Sequence, residues 1–401
     1  MTGQTGRTVV TAAWLWDGDR LVPEPVLELE DGRVVAIGTM TAREASKSGK
    51  RLDFAGATLA PAFLDVHIHG AAGHDVMEAT SEALRTVGRF LAGRGTGSYL
   101  ATTVTAPLDL TLKSLAGLAK LIEGDSRRGG LEPDSGARPL GIHLEGPFLS
   151  HSKRGVHPPE FLLEPDIAIF DRMFEAAEGK IRLMTLAPEL AGAAELAAHA
   201  TKKGVRVSVG HSNATAEETK RTLAAGATSA THTFNAMRPL DHRAPGILGT
   251  VLTTDDLYAE LICDGIHVDP AMVKLWWRAK GRDRAILVTD AMSATGMPGG
   301  EYMLGGLAVQ VANGRAEANG VLAGSVLTLD KALRNFVAFT GAGLAEALPL
   351  LTRNPATMTG FGGVGPGEGV GRICVGGRAD LVALGADGAL VAAVMGGELM
   401  G

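Results

Sequence analysis

The chain has few of the features that would tie it to a membrane, an oxidising compartment or a nucleic acid. Only two cysteines, Cys263 and Cys374, occur among 401 residues, too few for a disulfide framework. No apolar run approaches the roughly 18 to 20 residues that span a bilayer, and the first residues lack the apolar stretch of a secretion signal. The net charge of −6 argues against a general nucleic-acid surface. We therefore expect a cytoplasmic protein without a membrane or nucleic-acid partner.

The composition provides material for a large hydrophobic core. Hydrophobic residues make up 45% of the chain and charged residues 20%, which excludes a disordered protein. The length exceeds one average domain, and it fits a barrel of roughly 250 residues together with a small accessory domain.

The two ends of the chain share a pattern of short strands separated by Asp-Gly and Gly-Gly turns, which is typical of a small sheet. The predicted strands are residues 8–12, 26–29, 34–37, 57–59, 371–373, 379–382 and 390–391. We predict that residues 1–58 and 362–401 together form one small β-sandwich domain.

Between these ends, apolar strand-like runs alternate with Ala-, Leu- and Glu-rich stretches of helical period. The runs are residues 60–70, 98–105, 139–148, 181–188, 205–213, 229–237, 258–268 and 284–292. Thr215 and Glu218 have the spacing of a capping box, which predicts the start of a helix after the fifth run. None of the turns carries a Gly-x-Gly-x-x-Gly fingerprint, so residues 59–361 are predicted to be a (β/α)₈ TIM-like barrel rather than an open doubly wound sheet.

Polar residues fall towards the carboxyl ends of these predicted strands. They are His67 and His69 in the first run, Glu145 in the third, His211 in the fifth, His232 in the sixth, His267 in the seventh and Asp290 in the eighth. In a barrel those ends converge on one mouth, where enzymes of this fold keep their chemistry. Any one of these histidines could be a hydrogen-bonded residue at the start of a loop. The set of seven on one rim favours a metal site.

Histidine nitrogens and a glutamate oxygen suit Zn²⁺, with Fe²⁺, Co²⁺ and Mn²⁺ as alternatives. Three ligands from Glu145, His211 and His232 would leave a position for water, whose pKa an ion lowers to about 7, so hydrolysis is the expected chemistry. Asp290 would take the proton from that water and pass it to the leaving group. The alternative for Asp290 is a helix N-cap.

Seven motifs carry a resemblance over nearly the whole chain. They are PAFLDVHIHG at 61–70, HLEGPF at 143–148, VGHSN at 209–213, HTFNAM at 232–237, DGIH at 264–267, LVTD at 287–290 and LAGS at 322–325. With these motifs the chain resembles the N-acetylglucosamine-6-phosphate deacetylases of the amidohydrolase superfamily. His-x-His is shared with deaminases and dihydroorotases, whereas the Glu-Gly-Pro-Phe and His-Thr-Phe-Asn-Ala-Met stretches point to the deacetylases.

The resemblance implies that Glu145, His211 and His232 bind the main metal and that Asp290 is the acid/base. His67 and His69 vary more among members, so their presence here allows a second ion, giving one or two ions per subunit. The fourth run has no lysine that could become a bridging carbamate. This favours Glu145 as the shared ligand.

The resemblance also implies the substrate and the residues that contact it. The implied reaction hydrolyses the acetamide of N-acetylglucosamine 6-phosphate to glucosamine 6-phosphate and acetate, in amino-sugar catabolism and cell-wall sugar recycling. The implied contacts are Val156 and His157 on the acetamido side, Asn235, Ala236 and Arg243 at the phosphate, and His267, Leu322, Ala323 and Gly324 elsewhere. Part of the phosphate site comes from a neighbouring subunit in such enzymes, which implies a homodimer.

Two other interpretations stay open. The chain could be a metal-dependent amidohydrolase for an unphosphorylated N-acyl or cyclic-amide substrate, and less readily a deaminase; Arg243 would then be an ordinary loop cation. The chain could also be a non-catalytic barrel used as a scaffold, but no expected metal ligand is missing from the sequence.

Overall fold

The computed structural model of the chain describes residues 7–39, 50–127, 136–362 and 369–401. Its first strands belong to one sheet and are β1 (Thr8–Trp16), β2 (Leu21–Pro23), β3 (Pro25–Glu30), β4 (Arg33–Thr39) and β5 (Lys50–Pro61). Asp31 and Gly32 connect β3 to β4 with φ values of 50° and 71°. Positive φ at both central residues is what a tight two-residue hairpin turn requires, and the Asp-Gly pair supplies it.

The next strands form the barrel and one small hairpin. They are β6 (Phe63–Ile68), β7 (Gly70–Ala71), β8 (His74–Asp75), β9 (Thr96–Thr103), β10 (Arg138–Glu145), β11 (Ile181–Leu186), β12 (Arg206–Val209), β13 (Ala227–Ala230), β14 (Tyr258–Ile262) and β15 (Ala285–Val288). β7 pairs with β8, and the other strands form a parallel sheet in the order β6, β9 and then β10 to β15. The eight strands predicted from apolar runs are thus confirmed, and the predicted fold class with them.

Helices cover the outside of the barrel. They are α1 (Ser81–Ala92), α2 (Leu108–Arg127), α3 (Ile167–Ala176), α4 (Ala193–Lys202), α5 (Ala216–Ala224), α6 (Gly246–Thr253), α7 (Pro270–Arg284), α8 (Leu329–Thr340), α9 (Leu344–Ala347) and α10 (Arg353–Thr359), with 3₁₀ turns at Val76–Glu78, His151–Lys153, Pro159–Phe161 and Leu348–Leu351. The predicted capping box starts α5: the Thr215 hydroxyl accepts from the Glu218 N–H, and the Glu218 carboxylate accepts from the Thr215 N–H. None of these described helices is long and apolar enough to cross a membrane.

Burial of apolar faces holds the helices against the barrel. Leu84, Val87 and Leu91 lie on one side of α1 and are buried, in keeping with their i, i+3 and i+7 spacing. Each such side chain contributes about 1.5 to 3 kcal/mol when it is removed from water. The barrel strands below them are largely buried on both faces, as expected for a parallel sheet covered by helices.

The barrel closes where its first and last strands meet, beside the mouth. The Asp290 N–H donates to the His67 carbonyl at 2.9 Å, and the His69 N–H donates to the Ala291 carbonyl at 2.8 Å. A parallel bridge joins Ile68 to Ala291. Three of the predicted site residues therefore lie on this closing seam.

A buried carboxylate reinforces the seam. Asp65 on β6 accepts a hydrogen bond from the Thr289 hydroxyl at 2.5 Å and from the His67 N–H at 3.2 Å. Burial raises the pKa of Asp65 to about 7, against the opposing effect of these hydrogen bonds. The contact ties β6 to the segment just after β15, so it fixes both halves of the seam.

The last strands complete the two sheets outside the barrel. They are β16 (Gly300–Leu304), β17 (Leu307–Ala312), β18 (Arg315–Ala318), β19 (Val321–Leu322), β20 (Leu381–Leu384), β21 (Leu390–Met395) and β22 (Glu398–Leu399). β16 to β19 form a small antiparallel sheet after the last barrel strand. β20 pairs with β5, so in the described part of the chain the two ends build one sheet in the order β22-β21-β20-β5-β1-β3-β4, with β2 beside β1.

The two chain ends thus form one sheet with its own buried core, as the sequence predicts. The strand predicted at residues 371–373 is wrong. Gly371 has a φ of 75°, which is not an extended conformation, and the Ile373 N–H donates to the Asp17 carbonyl outside any strand ladder. The predicted boundary at 58/59 falls inside β5, and the domain limits stay a prediction. Residues 363–368, next to the other predicted limit, lie outside the described residues.

We expect Thr289→Val to destabilise the protein, because it removes the hydroxyl that donates to a buried Asp65 oxygen and accepts from the Ala291 N–H. The loss should be about 1 to 3 kcal/mol, measured by urea unfolding. Thr96→Val is the matched control, since Thr96 is 1% exposed and its hydroxyl has no hydrogen-bond partner in the described structure. Equal losses for the two variants would show that the hydrogen bonds of the Thr289 hydroxyl add nothing to the stability of the seam.

Candidate metal centre and active site

Glu145, the last residue of β10, is the centre of the candidate site. It is 2% exposed and lies among four imidazoles. The Nε2 atoms of His67, His69, His211 and His232 are 3.3, 3.2, 3.4 and 3.2 Å from its carboxylate oxygens. Burial alone would raise the pKa of Glu145, but the nearby His67 and the close imidazoles of His211 and His232 hold it well below its usual range. The site therefore contains an ionised carboxylate buried among histidines.

The predicted ligands form two groups around this carboxylate. Glu145, His211 and His232 form one, and His67, His69 and Asp290 form the other; in each group the ligand atoms lie within 4.8 Å of one another. The Asp290 carboxylate is 3.1 Å from His69 Nε2. Because Glu145 faces both groups, its position is that of a shared ligand.

The hydrogen bonds behind two of the rings fix which nitrogen faces the centre. His211 Nδ1 is 2.9 Å from the Lys153 carbonyl, and His69 Nδ1 is 3.1 Å from the Thr102 carbonyl. A carbonyl oxygen can only accept, so Nδ1 carries a proton in both rings. In the neutral ring Nε2 then presents a lone pair towards Glu145, as a metal-binding histidine must.

The atoms at the centre fit a divalent cation. His67 Nε2 and Glu145 Oε1 are buried and have no hydrogen-bond partner among the described residues. His211 Nε2 and His232 Nε2 are 3.0 Å apart and point at the same space. Several imidazole nitrogens with a shared carboxylate are a donor set that Zn²⁺ and similar ions accept.

Protons compete with a cation for these nitrogens. Burial by itself lowers the pKa of His69, but the hydrogen bonds to Asp290 and Glu145 raise it to about 9. The same two carboxylates raise the pKa of His67 well above its usual value, again against the effect of burial. Metal binding at this site therefore has to displace protons.

His157 faces the same centre in the opposite tautomer. The Thr105 N–H donates to His157 Nδ1 at 3.3 Å, so the ring proton lies on Nε2, which is 3.8 Å from Glu145. Burial lowers the pKa of His157 to about 3, so the ring is neutral. His157 thus offers the site an N–H donor and no charge.

A cavity of about 530 Å³ opens over these residues. The predicted substrate contacts that line it are Val156, His157, Asn235, Ala236, His267, Leu322 and Gly324. Ala323 does not line it, because the residue is fully buried; its N–H donates to the Ala316 carbonyl at 2.9 Å. Arg243 does not line it either, since it lies on the exposed loop 239–245.

Comparison with known proteins identifies the family of the chain that carries this site. Residues 58–399 match the amidohydrolase family. The chain belongs to the amidohydrolase family. This amidohydrolase is 39% identical over 359 residues to N-acetylgalactosamine-6-phosphate deacetylase of Escherichia coli O157:H7, with 89% of this chain and 90% of that protein covered. It is also 39% identical over 330 residues to N-acetylglucosamine-6-phosphate deacetylase of Lysinibacillus sphaericus, with 82% of each covered.

Solved structures share its fold. An N-acetyl-D-glucosamine-6-phosphate deacetylase mutant from Mycobacterium smegmatis, in complex with N-acetyl-D-glucosamine-6-phosphate, has a TM-score of 0.88 at 35% identity, covering 98% of this chain and 99% of that one. N-acetylglucosamine-6-phosphate deacetylase from Thermotoga maritima has a TM-score of 0.83 at 32% identity, with 98% and 99% covered. The resemblance inferred from the motifs is therefore confirmed.

The amidohydrolase site also contains residues that the sequence analysis missed. Lys153 and Arg154 line the cavity, and the Arg154 guanidinium donates to the His157 carbonyl at 2.9 Å. Asp264 accepts from the backbone N–H and lies 2.7 Å from Nδ1 of His267, which orients that ring. The basic pair next to the predicted acetamide contacts is a signal that could have been used.

We expect His211→Ala and His232→Ala to purify without the metal of the Glu145 group, because each variant leaves two protein ligands. Elemental analysis of the purified proteins measures this directly. His199→Ala is the control, since His199 contacts Asp171 on the outer helices and should keep a wild-type metal content. A wild-type protein that is metal-free and fully active would contradict the metal site.

Proposed function

We propose that this amidohydrolase removes the acetyl group from N-acetylglucosamine 6-phosphate, giving glucosamine 6-phosphate and acetate. The observation that carries this proposal is the buried carboxylate Glu145, which faces both groups of ligands beside a cavity with cationic residues. Relatives named N-acetylglucosamine-6-phosphate deacetylase support the same substrate. Two free cysteines are in keeping with the expected cytoplasmic location.

We assign the main metal site to Glu145, His211 and His232, with Zn²⁺ as the proposed ion and Fe²⁺, Co²⁺ or Mn²⁺ as alternatives. His67, His69 and Asp290 would hold a second ion with Glu145 as the shared ligand. When bound, such an ion polarises a carbonyl and lowers the pKa of water towards 7. The tautomers of His69 and His211 suit them to this task.

The residues of the chain then divide the work of hydrolysis. The amide C–N bond breaks, the water oxygen joins the acetyl carbon, and the amine nitrogen gains a proton. Asp290 takes the proton from the water and delivers it to that nitrogen. Burial opposes ionisation of Asp290, but His67 and His69 keep its pKa well below the usual range, so the carboxylate is available as a base at neutral pH.

His157 provides the complementary donor. Negative charge develops on the acetamide oxygen as the carbonyl carbon is attacked, and a fixed N–H stabilises it without reorganisation. His157 Nε2 carries that proton because Nδ1 accepts from the Thr105 N–H. Val156, next to it, would contact the acetyl methyl.

We expect Asp290→Asn to lower kcat by about 10²- to 10⁴-fold, because an amide can neither accept the water proton nor deliver it. The metal of the Glu145 group should remain, so metal content and kcat are measured on the same preparation. Asp256→Asn is the control, since the Asp256 side chain is 96% exposed and remote from the mouth. Wild-type kcat in Asp290→Asn would remove Asp290 from the chemistry.

The phosphate site is the part of the proposal that extends beyond one chain. Lys153 and Arg154 supply positive charge within the cavity, whereas Arg243 lies on the exposed loop 239–245. Asp241 shapes that loop by accepting from the backbone N–H groups of Arg243 and Ala244 at 2.8 Å each. Leu240 on the same loop is 49% exposed. We propose that this loop enters the cavity of the partner subunit in a homodimer.

We expect Arg243→Ala to raise KM for the phosphorylated sugar about 10- to 150-fold and to leave turnover of the unphosphorylated sugar nearly unchanged. The reason is the loss of one charge-assisted contact of about 1.5 to 3 kcal/mol. Arg85→Ala on the exposed side of α1 is the charge-matched control.

Mixing Arg243→Ala chains with Asp290→Asn chains should restore activity if the two residues of one site come from different chains. Equal effects of Arg243→Ala on both sugars would favour an amidohydrolase for unphosphorylated substrates.

N-Acetylgalactosamine 6-phosphate is a second candidate substrate. The Escherichia coli O157:H7 relative named for that substrate and the Lysinibacillus sphaericus relative are both 39% identical to this chain, over 359 and 330 residues. Acetate release from both sugar phosphates, compared as kcat/KM, decides between the two epimers.

A further inference from the structure

A second buried glutamate lies behind the metal ligands. Glu260 is in the middle of β14, has no exposed surface, and interrupts an otherwise apolar strand. Its Oε2 atom is 3.2 Å from His67 Nδ1 and 3.4 Å from the His232 N–H. Its Oε1 atom has no hydrogen-bond partner among the described residues. A fully buried charged group in such a place is costly unless it has a specific partner.

The contact with Glu260 determines how His67 is presented. A carboxylate accepts, so the proton of the neutral ring lies on Nδ1 and the lone pair of Nε2 faces away from Glu260. Nε2 is 3.3 Å from Glu145 Oε1 and 3.6 Å from Asp290 Oδ1, so this lone pair points to the space between the two groups. His69 is held by a backbone carbonyl instead. Of the two histidines in this group, His67 is therefore the one whose Nδ1 is held by another side chain.

Glu260 also adds a third side chain to the contacts of the His67 ring. Its Oε2 atom is 3.2 Å from Nδ1, whereas Glu145 and Asp290 are 3.3 and 3.6 Å from Nε2. Glu260 therefore holds the side of the ring that faces away from the two ligand groups.

We propose that Glu260 is a positioning residue that holds His67 as a metal ligand and thereby strengthens the binding of the second ion. The inference rests on the metal-dependent function proposed above. Glu260 touches neither the ions nor the substrate in this arrangement; it acts through His67. Losing such a carboxylate behind a ligating histidine typically lowers metal affinity about 10- to 100-fold.

The test is metal stoichiometry, with Zn²⁺ as the probe, on the full-length protein. Wild type should bind two ions per chain by elemental analysis and calorimetric titration. Glu260→Ala should keep the ion of the Glu145 group and bind the second about 10- to 100-fold more weakly. Glu260→Gln should fall between the two, because its amide oxygen can still accept from His67 Nδ1 and the His232 N–H but carries no charge.

A double variant separates positioning from a general loss of structure. His67→Ala should remove the second ion, and Glu260→Ala added to it should have no further effect on the remaining ion. If Glu260→Ala does not fold, Glu260→Gln alone decides, and wild-type affinity for both ions in that variant would overturn the inference. One ion in the wild type would also overturn it, as would loss of both ions in a folded Glu260 variant.

Failure of this inference and failure of the proposed function give different results. A protein that binds two ions, loses the second in Glu260→Ala and releases no acetate from either sugar phosphate supports the role of Glu260 and contradicts the deacetylase. A protein that releases acetate while the Glu260 variants bind both ions with wild-type affinity contradicts the role of Glu260 alone.

Discussion

The burial of the Glu145 carboxylate is the constraint on which the site depends. Moving a carboxylate out of water costs several kcal/mol unless positive charge and hydrogen-bond donors replace the solvent. Here the replacement comes from four imidazoles carried by three other parts of the barrel, and each Nε2 lies within 3.4 Å of the carboxylate. No single strand could supply them. The closed ring of parallel strands is what brings these side chains to one point.

Histidine offers a lone pair at some positions of this site and a proton at another, and for three of the rings a backbone group determines which. A carbonyl behind Nδ1, as for His69 and His211, leaves a lone pair on Nε2 for a cation. A backbone N–H behind Nδ1, as for His157, leaves a proton on Nε2 for a substrate oxygen. The residue type is the same, so the chemistry of these three rings follows from which end of a peptide group lies behind each of them. Backbone strain accompanies this arrangement, since His211, His232 and Asp290 have φ values of 45°, 28° and 51°.

Much of the fold and part of the site follow from the sequence, for identifiable reasons. Most barrel strands are mainly apolar segments followed by polar residues, and parallel strands end at one mouth, so the grouping of Glu145, His211 and His232 could be predicted. The pairing of Asp290 with His69 depends on how the ring closes, and strand order alone does not give that distance. Glu260 was not identified because its partner, His67, comes from a distant strand. Residues 371–373 have a strand-like composition, but Gly371 turns the chain.

Because the barrel closes between β6 and β15, the two ligand groups are expected to form at different times during synthesis. Glu145, His211 and His232 leave the ribosome one after another and meet as neighbouring parts of the ring form. His67 and His69 emerge earlier, yet their group stays incomplete until Asp290 has been made and the last strand has docked beside the first. Domains fold as the chain emerges, and contacts between distant segments form late because closing a long loop costs entropy. A nascent chain can thus assemble the Glu145 group first. The group of His67, His69 and Asp290 is complete only when the barrel closes.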